Sequence, residues 1–95
     1  MVAPLLLEMS ITREDFLRLL PGAVGLASIE EAGGVFTQAE GHQRWTIHLV
    51  PLADWRAGSV VLARHRVEIR FEDYSDEEAQ AFLAAFHRGF QRGGG

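Results

Sequence analysis

Two runs of strict alternation, Gln43–Val50 and Val60–Phe71, constrain this chain more than any other feature. Trp45, Ile47 and Leu49 alternate with Arg44, Thr46 and His48 in the first. In the second, Val61, Ala63, His65, Val67, Ile69 and Phe71 alternate with Val60, Leu62, Arg64, Arg66, Glu68 and Arg70. A period of two places successive side chains on opposite faces of a strand, so each run predicts an antiparallel strand with one face on a core and one toward water. Two weaker strands are expected before them, about Leu26–Glu31 and Val35–Ala39, joined at Gly33-Gly34. Glu40-Gly41-His42 reads as the next turn.

Helical signals flank this block. Thr12 is an N-cap candidate followed by the acids Glu14 and Asp15, and Phe16, Leu19, Leu20 and Ala23 then form one apolar stripe. Pro21-Gly22 is expected to end that helix or leave only a frayed turn. Ser75-Asp76-Glu77-Glu78 matches a capping box and opens a second helix with Ala79, Phe82, Leu83, Phe86 and Phe90 on one face. The expected fold is α+β, a two-layer sandwich ordered helix, four-stranded antiparallel meander, helix, with both helices on the Trp45 face. Residues 1–95 read as a single domain. Residues 1–10 are expected to be a poorly ordered extension, because Met9-Ser10 resembles a second start, and Gly93-Gly94-Gly95 is expected to fray.

The composition excludes more than it assigns. Cysteine and lysine are both absent, which removes disulfides, thiolate metal sites, cysteine nucleophiles and Schiff-base chemistry. The missing cysteine fits a cytoplasmic protein. The opening apolar run is too short to span a bilayer, so no membrane association is expected. The net charge of −4 disfavours general nucleic-acid adhesion, although residues 43–71 hold five arginines against two acids.

That basic centre carries the candidate site. Pairing Trp45 with Val67 would place Arg44 opposite Glu68, Thr46 opposite Arg66, His48 opposite Arg64 and Val50 opposite Leu62. Arg44, His48, Arg64, Arg66 and Arg70 would then share the open sheet face, basic at one end. Val50, Val60 and Leu62 would form an apolar end suited to a dimer. Charged outward positions are also what any half-solvated sheet displays. Residues 51–59 read as a loop whose Trp55 either anchors a partner or folds back to cap the sheet.

His48 and His65 lie on opposite faces and cannot share an ion. His65 and His87 are expected near the helix–sheet interface as a neutral, hydrogen-bonded pair, and no metal site is expected. The acidic run Glu72–Glu78 lacks calcium-loop spacing. No serine elbow, zinc-helix motif or phosphate loop occurs, so no catalytic residue and no cofactor are assigned.

The leading expectation is a non-enzymatic binding or assembly module, a homodimer, acting through the open face or the Trp55 segment. A protein partner or a second copy is preferred. The alternative is an RNA- or anion-binding domain using the arginine face, disfavoured because no stacking aromatic shares that face. A small enzyme using His48 or His65 ranks third.

Overall fold

The computed structural model describes residues 4–25, 29–38 and 44–94. In chain order the elements are β1 (Leu5–Met9), α1 (Arg13–Val24), β2 (Glu30–Ala32), β3 (Val35–Thr37), β4 (Arg44–Ala57), β5 (Val60–Glu72) and α2 (Asp76–Gly94). The strands form one antiparallel sheet in the order β1-β5-β4-β3-β2. Both helices cover the face carrying Trp45, Ile47, Leu49, Val67 and Ile69, so the two-layer α+β arrangement holds.

The sheet has five strands rather than four. Residues 5–9, expected to lie in a poorly ordered extension, pair with β5 from Leu5↔Ile69 to Met9↔His65. Leu5, Leu7 and Met9 are half-buried against the core, whereas Leu6 and Glu8 face outward. Five residues of alternation beside a start-like Met9 are too short to stand out in sequence, but they match the free edge of β5.

Local signals fix most element ends. Thr12 caps α1 by accepting from the Asp15 amide at 3.2 Å. Pro21 does not end α1; the helix continues to Val24 and closes at Gly25, whose φ of 72° is the left-handed cap conformation and whose N–H donates to the Pro21 carbonyl. Proline costs the Leu17 carbonyl its helical donor, yet Ala23 beyond it is buried, so packing carries the extra turn. The capping box forms as expected: the Ser75 amide donates to Glu78 Oε1 at 2.9 Å, and the Glu78 amide to Ser75 Oγ at 3.1 Å. At the other end α2 runs through Gly94, into the glycine run expected to fray. The expected Glu40-Gly41-His42 turn and residues 26–28 of the first weak strand lie outside the described residues.

The β4–β5 register differs from expectation by an even number of residues. Trp45 faces Phe71, not Val67, and Arg44 faces Glu72, Thr46 faces Arg70, His48 faces Glu68 and Val50 faces Arg66. An even slip preserves facing, so the inward and outward sets survive while the cross-strand partners change.

The core is aromatic. Phe16 of α1 lies 5.7 Å from Phe36 and 5.2 Å from Phe90, and Phe86 lies 4.6 Å from Phe90, between ring centroids. Phe82 is half-buried and spans Trp45, Phe71 and Tyr74. Burial in this cluster, with Glu78 nearby, raises the Tyr74 hydroxyl above its ordinary pKa.

One surface clasp ties α1 to the β2–β3 turn. Arg13 donates to Glu31 Oε2 at 2.8 Å and the Gly34 amide donates to the same oxygen at 3.2 Å. These bonds, the guanidinium first, lower the Glu31 pKa. A depressed carboxylate stabilises the fold above its unfolded pKa, and that contribution disappears as pH falls through the folded value. Arg13→Ala is therefore expected to raise the Glu31 pKa toward the ordinary range in a carbon-detected NMR titration. An unchanged value would assign the shift to the Gly34 amide alone.

Candidate assembly surface

The β4–β5 hairpin outgrows its neighbours. Among the described residues, β1 covers β5 only from His65 to Ile69, and β3 covers β4 only from Thr46 to His48. Residues 51–64 therefore form a two-stranded arm. It stretches the molecule to 47 × 26 × 26 Å and its radius of gyration to 13.8 Å, against about 12.4 Å for a compact chain of this length.

The segment read as a loop, residues 51–59, is strand up to Ala57. Pro51 misleads because proline usually terminates a strand. Here Leu49 donates its amide to the Gly34 carbonyl at 2.9 Å, so its N–H points toward β3. Residues two apart point the same way. The N–H that Pro51 lacks thus falls beyond the end of β3, where no described strand needs it. Gly58 has φ of 58°, as the first position of a two-residue hairpin turn requires. Gly58-Ser59 between two apolar segments was the sequence signal for this hairpin.

A bulge places Trp55. Leu52 faces Arg64 and Trp55 faces Leu62, so Ala53 and Asp54 together oppose Ala63. Beyond that extra residue the alternation of β4 reverses. Trp55, which its odd number would place on the helix side, joins Leu52, Val60 and Leu62 on the outer face. It does not fold back to cap the sheet. Trp55 is 47% exposed, Val60 50%, Val61 48% and Leu62 43%. The dimer candidates Val60 and Leu62 thus lie beside Trp55, with half-buried Val50 at the base of the arm.

The arginine face is less basic than its sequence implies. Arg64 meets Glu8 of β1 at 3.1 Å, and Arg66 meets Glu68 at 3.4 Å. Arg44 and Arg70 are exposed, and Arg44 faces Glu72 across the ladder. His48 is exposed with Nδ1 3.8 Å from Glu68. Glu8 was missed because its strand was missed. Across the outer face, four arginines now lie among Glu8, Glu30, Glu68 and Glu72. Such surface pairs add little stability, but they do cancel the local field.

The expected His65–His87 pair is not formed. His65 Nδ1 lies 2.8 Å from the Ile11 carbonyl, so this nitrogen carries the proton and donates. His87 is exposed on α2, its ring against Phe86. Among the described residues no group of three metal-ligating side chains occurs, and no helix is long and apolar enough to cross a membrane.

A cleft of about 420 Å³ opens under the base of the arm, on the helix side. Met9, Ile11, Leu19 and Phe90 contribute its apolar lining, and Val61 and Ala63 border it along β5. Ser10, Thr12 and Asp15 sit at its polar margin, but Thr12 is already engaged as the α1 cap. No protein-family model matches this chain, and comparison with curated proteins and with solved structures finds no similar protein.

Proposed function

We propose that this chain is a non-enzymatic assembly module that forms a homodimer through its β4–β5 arm. The observation that carries the reading is the exposed quartet Trp55, Val60, Val61 and Leu62 on a hairpin that projects from the body. An isolated two-stranded ribbon is marginal in water, and added strands that widen its apolar face stabilise it. Charge favours a second copy as the source of those strands. A two-fold interface sets each patch against itself, so a net charge would repel its own image. Residues 50–63 carry one acid, Asp54, and one base, Arg56. A neutral arm meets its copy without that penalty.

The arginine-face alternative draws less support, since Arg64 and Arg66 already have carboxylate partners. A nucleic-acid ligand would have to displace them.

Analytical ultracentrifugation across a concentration series tests the reading. The wild-type chain is expected to show a reversible monomer–dimer equilibrium. Val60→Asp with Leu62→Asp should raise the dissociation constant roughly thirtyfold or more, because each copy would set two new charges against its partner's. Circular dichroism should be unchanged, because both side chains lie outside the core. A wild-type chain that stays monomeric throughout, or a variant that dimerises equally well, overturns the proposal.

A further inference from the structure

We infer that the second copy binds as an added strand along the free edge of β5, with Val61 on the two-fold axis, so that one sheet runs through both chains. This deepens the arm-mediated dimer and rests on it.

The two edges of the arm are not equivalent. The β4 edge carries Pro51, a bulge at Ala53-Asp54 and the charged pair Asp54 and Arg56, all of which resist strand addition. The β5 edge carries Val60-Val61-Leu62-Ala63, unbroken by proline, bulge or charge and high in β propensity. It is the unguarded edge of the ribbon.

Its hydrogen-bonding groups can be placed. Leu49 directs its amide toward β3, so Leu49↔Val67 is a pair that exchanges no ladder bonds, and Val67 directs its own groups toward β1. β5 has no bulge, so Val61 and Ala63 point their N–H and C=O the same way. There β1 has already ended at Met9↔His65.

The open space agrees with a strand in this position. The cleft bordered by Val61 and Ala63 lies along this edge, and its apolar lining from Ile11, Leu19 and Phe90 faces the helix-side positions of any added strand. Val61 of a second copy is such a position. Antiparallel self-pairing is isologous, so the sequence that makes the edge also satisfies it. The register is limited by sterics. Met9 occupies the site opposite His65, so the Gly58-Ser59 turn of the second copy must stop before it. Centring on Val61 puts that turn opposite Ala63 and Arg64, clear of Met9. It also makes Val61 meet its own copy as a hydrogen-bonded pair.

The chain's lack of cysteine makes this directly testable. In a Val61→Cys variant, paired residues on the axis would have Cα atoms about 5.5 Å apart, within disulfide range. Mild oxidation is expected to give a covalent dimer on non-reducing gels, far more readily than Ala53→Cys on the guarded β4 edge. Ala63→Pro removes an amide that serves no ladder within the monomer, so it should leave the fold intact and weaken dimerisation roughly tenfold. Edge pairing is overturned, and the arm interface left standing, by a dimer that persists while Val61→Cys cross-links no better than Ala53→Cys. A dimer that tolerates Ala63→Pro has the same meaning. A chain that remains monomeric overturns both.

Discussion

Gly89→Ala is expected to destabilise this protein by about 2 kcal/mol, although the same change on an exposed helix face would stabilise it. Alanine exceeds glycine in helix propensity by about 1 kcal/mol. That gain is outweighed by the space available. A Cβ added at Gly89 would lie 2.6 Å from the Ala23 Cβ, and it would also press on the Ala23 backbone. Both are short, stiff neighbours on α1, so no flexible side chain can swing aside. The helices must separate, and that separation loosens Phe86 and Phe90 from Phe16 and the sheet. Overpacking of this kind costs about 1–3 kcal/mol and occasionally more. Thermal melting should register a fall on the order of 10 °C. Ala23→Gly introduced with Gly89→Ala should restore part of the loss, because it removes the opposing methyl but leaves the α1 backbone in the way. A single variant that melts higher than wild type would show that the helices cross elsewhere.

Gly89 also shows what a single sequence conceals. It lies one position before Phe90 on a strongly amphipathic helix, and nothing in its surroundings distinguishes a close-approach glycine from a tolerated one. The helical stripe itself was legible, because Ala79, Phe86 and Phe90 repeat at the spacing that one buried face requires. The facing of β4 and β5 was legible for the same reason, and it survived a wrong register because the slip was even. The arm itself is not legible in the sequence. Pro51 looks like a terminator until the direction of its missing N–H is known, and that depends on where β3 stops. Trp55 needed the bulge at Ala53-Asp54 to reach the outer face, and a bulge adds a residue without any composition of its own. The charge on the open face depended on β1, since Glu8 answers Arg64 from 56 residues away in sequence.

Removing residues 1–9 is expected to cost about 3 kcal/mol. Leu5, Leu7 and Met9 are half-buried against the core, and half-burying a large aliphatic side chain contributes on the order of 1 kcal/mol each. The deletion also strips the ladder partner from His65–Ile69, and water replaces those bonds at little net cost. On a domain whose total stability is about 5–15 kcal/mol, the loss should lower the melting temperature by roughly 10–25 °C. Alternation along β1 supplies the internal control. Leu7→Ala removes a core-facing side chain and should lower stability by about 1 kcal/mol or more. Leu6→Gln alters a residue that is 61% exposed and should stay within about 0.5 kcal/mol of wild type. If Leu6 proves the costlier of the two, β1 pairs one residue out of register and faces the other way. A truncated chain that melts like the full one would mean that β1 rests on the sheet without supporting it. The deletion has a second consequence, separable from stability. It lengthens the unguarded edge of β5 from the arm down to Ile69 and takes Glu8 from Arg64. Uncovered edges of this length recruit further strands, so the truncated chain should self-associate beyond the dimer at concentrations where the full chain does not.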